Sequence, residues 1–280
     1  MNNKLISELL VEVKLNKKYS EISDEIILPE IKNYISKNKL TKITKQDIKE
    51  IRNSLHKSYA SFQTKKKNKI AIYLNELKNN PDDLTVTNKL LSITLSTKER
   101  LNSYLEIYQQ IFEITSNPKT IIDLGAGFNI FSYPLMGLPS LTYYSYDINE
   151  KDIAYINDYI KIMKNKGLKG TAQILNLFDF EKVKNLFSSL PSADIVFLFK
   201  VIDLIDKDNH KSSEELIIYL LKNKKANFIV ASFATKTLTR KSMNYPNRKW
   251  FELMLQRNNL NFKTFKTDNE LFYVVSYLDF

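Results

Sequence analysis

The sequence predicts an α/β protein: a mainly parallel seven-stranded sheet preceded by a small helical domain. Three observations predict it. Short β-rich runs alternate with helical patterns through the second half of the 280-residue chain, as they do where crossover helices join parallel strands. The first half carries helical periodicity and none of the five glycines. Between them, an apolar run ending in an acid leads straight into Gly-x-Gly, a turn that lets backbone pass close to a ligand.

The elements follow in order. Ile6, Leu9, Leu10 and Val13 keep the i, i+3, i+4, i+7 spacing of a first helix, and Ile48, Ile51 and Leu55 mark another. Ser23-Asp24-Glu25 and Thr44-Lys45-Gln46-Asp47 read as helix starts with acids in the first turn. A further helix is expected from about Lys69 to Leu77, stopping before Asn79-Asn80-Pro81. These form a domain over 1–105, with the sheet domain over 106–280. The expected strands are Thr120–Leu124, Leu141–Asp147, Thr171–Leu175, Ala193–Phe199, Ala226–Ser232, Asn261–Lys266 and Leu271–Tyr277, the last two pairing as an antiparallel hairpin.

Composition removes several chemistries. The absence of cysteine excludes disulfides, thiolate metal sites and a cysteine nucleophile. Two histidines, His56 and His210, argue against a histidine-built metal centre. No stretch approaches the ~20 apolar residues of a membrane span, and Met1–Tyr19 lacks the apolar core of a signal peptide. A soluble, cytoplasmic protein without membrane contact is expected. The net charge of +11 favours a polyanionic partner.

Thr120-Ile121-Ile122-Asp123-Leu124-Gly125-Ala126-Gly127-Phe128-Asn129 carries the chemistry. A dinucleotide loop places a third glycine where Ile130 stands. Asp-x-Gly-x-Gly without it resembles the S-adenosylmethionine (SAM) loop of class I SAM-dependent methyltransferases, a Rossmann-like fold. The resemblance implies that Asp123, Gly125, Ala126 and Gly127 face the methionine part of SAM. Asp147, 24 residues on, ends the second strand with its neighbour Ile148, and its two oxygens suit the vicinal ribose hydroxyls. Asn176, Leu177 and Phe178 follow the third strand, where such enzymes hold adenine; Asp179 reads equally as a helix cap. After the fourth strand, Lys200-Val201-Ile202-Asp203 replaces the Asn/Asp-Pro-Pro-aromatic segment used on exocyclic amines. An acceptor that is already nucleophilic, such as a purine ring nitrogen, or a hydroxyl remains.

Leu95-Ser96-Thr97-Lys98-Glu99-Arg100-Leu101, with Tyr104 and Ile107-Tyr108, sharpens the resemblance. So do Leu55-His56-Lys57-Ser58-Tyr59-Ala60, Phe199-Lys200, Ala231–Leu238, Met243 and Trp250-Phe251. In this order they resemble the aminoglycoside-resistance 16S rRNA (guanine-N7) methyltransferases. Thr94, Ile130 and Ala234 stand where that family has His, Pro and Pro, so the chain resembles a divergent member. The resemblance implies a SAM-dependent enzyme acting on 16S rRNA in the small ribosomal subunit, as a monomer, with Arg100 on the SAM carboxylate and Phe199 and Lys200 in the cofactor site. A catalytically idle RNA-binding protein, a methyltransferase for another structured RNA and a small-molecule methyltransferase are the other readings.

Charge placement favours RNA. Residues 1–105 carry 20 Lys+Arg against 12 Asp+Glu, and two segments, 51–75 and 216–251, contain no acid. Lys57, Lys65, Lys66, Lys67 and Lys69 in the first, and Arg240 and Lys241 in the second, are the expected phosphate contacts. Residues 233–250 are expected to form a loop over the active site. Phe233 and Met243 would offer a face to the extruded base, Lys236 would hold a flanking phosphate, and Trp250 would anchor the loop.

Overall fold

The computed structural model describes residues 3–20, 22–58, 65–206, 211–237 and 247–280, with 56–58, 65 and 66 as backbone only. Its sheet has the order β3-β2-β1-β4-β5-β7-β6. The strands are β1 Thr120–Leu124, β2 Leu141–Asp147, β3 Leu168–Ile174, β4 Ala193–Phe199, β5 Ala226–Ala234, β6 Asn261–Lys266 and β7 Glu270–Ser276. β1 to β5 run parallel, and β7 is antiparallel to both β5 and β6. The five parallel strands and the terminal hairpin match the sequence reading.

Two strands run longer than expected, each for a local reason. β3 starts three residues earlier and passes through Gly170, whose φ of +127° puts it in a region that L side chains rarely adopt. A Cβ there would lie 1.9 Å from the Tyr143 carbonyl oxygen, so glycine marks a tight strand contact and not a strand end. β5 runs on to Ala234 because β7 continues the ladder, pairing Leu271 with Phe233 and Glu270 with Ala234.

Helices cover both faces. α1 Asn3–Lys14, α2 Asp24–Asn38 and α3 Lys45–Ser58 stand first. Ser23 caps α2 by accepting the Glu25 amide, and Thr44 caps α3 through reciprocal bonds with Asp47. Leu9, Val13, Ile27, Ile31, Ile51 and Leu55 give this trio its own core. The cores divide earlier than the expected boundary at 105/106. α4 Ile70–Asn79, α5 Leu84–Leu91, α6 Leu95–Arg100 and α7 Tyr104–Thr115 share a core with the sheet, where Leu74, Leu90 and Ile107 join Ile121, Tyr143 and Phe197. The periodicity was common to both sets of helices; only packing separates them. α8 Glu150–Met163 lies on the same face. α9 Phe180–Ser189, α10 Ile202–Ile205, α11 Ser212–Lys222 and α12 Lys249–Arg257 complete the connections, and they pack over Ile122, Val196 and Ile229 on the opposite face. No described helix is long and apolar enough to cross a membrane.

Candidate active site

A cavity opens at the carboxyl ends of β1, β2 and β4, where the strand order reverses around β1. Open α/β sheets bind ligands at this switch point. The Gly125 and Ala126 amides donate to the Tyr146 carbonyl at 2.9 and 3.0 Å, which folds the loop over the end of β2. Gly125 has φ +71°, and a Cβ on it would meet Val201 at 2.9 Å, so its missing side chain keeps the cavity floor open.

Asp147 stands at the cavity edge with its carboxylate held in place. It accepts the Gly127 amide at 2.8 Å on Oδ2 and the Ile148 amide at 2.7 Å on Oδ1. Oδ1 also accepts the Asn149 amide at 3.3 Å and is thereby filled, while Oδ2 accepts one amide and keeps a lone pair for a ribose hydroxyl. Leu175, Leu177, Phe178, Val201, Leu204 and Ile205 supply the apolar lining that a flat heterocycle needs. Ala126 and Ile148 line it too. Asn176 does not: its side chain turns back to accept the Phe178 amide at 3.0 Å, which shapes the loop after β3. Asp179 is a helix cap, accepting the Lys182 amide at 3.1 Å.

Asp123 lies beneath the glycine loop, outside the cavity lining, and is buried. Tyr143 and Asn129 donate to its Oδ2, while Oδ1 has no hydrogen-bond partner. Burial outweighs those two bonds and raises its carboxyl pKa to about 6.

Beside this stands a network of buried charge. Arg100 lines the cavity, yet its Nε and Nη2 donate to Glu270 at 2.7 to 3.2 Å. The paired grip expected for a cofactor carboxylate is already taken by the first residue of β7. Burial works against the charged forms, but mutual attraction prevails: the Arg100 pKa is raised, and the Arg100 and Lys200 charges hold the Glu270 carboxyl below its usual range. Lys200, left-handed at φ +57° where the chain leaves β4, reaches Glu99 at 2.8 Å and Glu270 at 3.2 Å. The Arg100 guanidinium also lies 4.7 Å from the Phe199 ring centre.

Several expected RNA contacts sit elsewhere. Lys67 turns into the cavity, pairs with Asp152 at 2.5 Å and lies over the Phe128 ring. It is an internal cation. Lys69 is exposed on the same segment. Phe233 is a core residue, not a face for a base: only 1% exposed, it packs edge-on against Trp250, Phe251 and Tyr273 with Arg248 over its ring. The longer β5 explains its burial. Lys236 lines a surface groove beside α6 with Lys98, Glu99 and Asn269. Arg240, Lys241 and Met243 lie outside the described residues, as do the side chains of Lys57, Lys65 and Lys66.

Sequence reasoning missed Ile22, Asn149, Asp152 and Glu270. Ile22 and Asn149 form an antiparallel bridge that brings the segment before α2 to the cavity mouth, where both residues line it. Asp152 lies in the first turn of α8. No local spacing announces any of these contacts. An acid opening an otherwise apolar strand was the one available signal for Glu270.

The comparisons with known proteins agree with this architecture. The chain is 26% identical over 302 residues to the 16S rRNA (guanine(1405)-N(7))-methyltransferase of Proteus mirabilis, covering 99% of each protein. It is 26% identical over 239 residues to the enzyme of that name from Micromonospora echinospora, covering 81% of each. Among solved structures, the 16S rRNA methyltransferase RmtF in complex with S-adenosyl-L-homocysteine superimposes with a TM-score of 0.76 at 20% identity, over 97% of this chain and 98% of that one. The 16S rRNA methylase RmtB gives 0.71 at 19% identity, over 97% and 98%. Residues 18–274 match the family model described as "Ribosomal RNA methyltransferase (FmrO)", and the chain therefore belongs to the FmrO family of ribosomal RNA methyltransferases.

Proposed function

We propose that the chain uses SAM to methylate N7 of a guanine in 16S rRNA, within the small ribosomal subunit. The observation that carries this reading is the cavity at the switch point, with a glycine loop on one side and Asp147 on the other. The residues present fit SAM. Asp147 suits a ribose hydroxyl, and Leu175, Leu177 and Phe178 suit the adenine faces.

When bound, SAM supplies a methyl group on a positively charged sulfur. Guanine N7 carries a free lone pair, so the new N–C bond forms without prior removal of a proton. The protein's task is then orientation, by a rigid cavity floor and a fixed base. The names of the curated relatives support guanine N7 and 16S rRNA as the acceptor.

The test is chemical mapping of 16S rRNA from small subunits incubated with SAM, with and without the protein. Reduction and aniline cleavage at N7-methylguanosine should produce one new stop for reverse transcriptase. No new stop, or a methyl on an atom other than guanine N7, overturns the reading.

A further inference from the structure

Glu99 and Lys200 stand where the cavity meets the neighbouring groove. α6 is the shared wall: Ser96 and Arg100 line the cavity, while Leu95, Lys98 and Glu99 line the groove. The Glu99–Lys200 pair crosses that wall at 2.8 Å, with Lys200 lining the cavity. The rest of the network is closed. Glu270 is fully buried and already accepts from Arg100 and Ser232. Glu99 is different: its side chain is 23% exposed, and only its Oε2 takes the Lys200 ammonium. The outer side of the pair faces a groove that also holds the cations Lys98 and Lys236 and the acid Asp268.

We infer that Glu99 reads the target base, accepting N1–H and N2–H2 of guanine on its carboxylate while Lys200 donates to O6; this rests on the function proposed above. The chemistry selects guanine. A carboxylate only accepts, and of the four bases guanine alone presents two neighbouring donors beside an acceptor on its Watson–Crick edge. Extruded bases are commonly read on that edge. N7 lies on the adjoining edge, next to O6, and takes no part in these bonds, so a guanine held in this way keeps its lone pair free for the methyl group on the cavity side, where Lys200 stands. Lys98 and Lys236 then stand beside the base to meet flanking phosphates.

The experiment uses small subunits reconstituted with 16S rRNA carrying inosine at the mapped guanosine, which lacks only the N2 amino group. The parent chain should methylate the inosine substrate with kcat/KM about 10- to 100-fold lower, the effect of one lost bond to a charged acceptor. Glu99→Gln should slow the guanosine reaction and bring the guanosine-to-inosine ratio close to one, with SAM affinity by calorimetry within about twofold of the parent. A residue that merely holds Lys200 in place would leave that ratio unchanged. The inference is overturned if Glu99→Gln keeps the parental ratio, or if the parent chain treats the two substrates alike, a result that does not depend on the variant folding. Failure of the parent chain to methylate unmodified subunits at all removes the proposed function, and this inference with it.

Discussion

Asp123→Asn separates the cost of a buried charge from its use. The Asp123 carboxyl is buried beneath the glycine loop, and desolvation raises its pKa from 3.8 to about 6 despite the bonds from Tyr143 and Asn129. The folded chain therefore holds this proton more tightly than the unfolded chain does. The stability so gained is complete below about pH 3.8 and is lost as pH rises through about 6. Relative to a neutral side chain, that shift costs about 3 kcal/mol at pH 8 and roughly half that at pH 5. The other titrating groups are common to parent and variant and cancel in their difference. Urea unfolding of the SAM-free proteins at both pH values should show Asp123→Asn gaining about 1–2 kcal/mol on the parent between pH 5 and pH 8. The slope is the measurement, because the constant offset depends on how the new amide sits where Oδ1 had no partner. At pH 8 the same variant should bind SAM more weakly, because the Asn129 and Tyr143 donors beneath the glycine loop lose their charged acceptor. A stability difference constant to about 0.3 kcal/mol across that pH range would mean that Asp123 ionises as it does in water, and the argument from burial would fail.

Three further outcomes follow from the same geometry. Asp147→Ala should weaken SAM binding by about 2 kcal/mol in calorimetry, the loss of a charge-assisted hydrogen bond; parental affinity would remove Asp147 from the ribose. Glu270→Ala strands the buried Arg100 and should cost about 3–5 kcal/mol in urea unfolding, whereas the double variant Arg100→Leu/Glu270→Leu should cost less; equal losses would contradict a buried pair. Lys67→Met should weaken SAM severalfold and leave the salt dependence of RNA binding unchanged; a slope reduced by nearly one would return Lys67 to the phosphates.

The sheet was legible because its strands are short and β-rich, alternate with helical patterns and are mostly bounded by polar or turn-forming residues. The glycine loop and Asp147 were legible because glycine is scarce in this chain and two of the five fall in one turn. Legibility ended where a residue's partner is distant in sequence. The environment of Arg100 shows why. No acid lies three or four residues away, the spacing at which a helix brings side chains together. Its partner Glu270 is 170 residues off, brought alongside by the antiparallel β7. Phe233 was misplaced for a related reason. An end of β5 at Ser232 left it in a loop, but the strand's true end is set by its β7 partner.

Charge counting along the chain has the same limit, with consequences for how RNA is held. The acid-free segments looked like two continuous basic surfaces. In the fold, Lys67 turns inward to Asp152, and Arg248 donates to Asp203 and to the Ala234 carbonyl across the Phe233 ring. Arg52 donates to the carbonyls at the end of α1. Lys222, Lys224 and Lys225 lie at the amino-terminal end of β5, on the far side of the sheet from the cavity. A cation already paired, or facing away from the substrate, releases no counterions on binding. Lys98 and Lys236 line the groove beside the cavity, where they can meet phosphate. Affinity for RNA then depends on a few well-placed contacts, and the internal cations serve to hold the cavity, the groove and α6 in fixed relation.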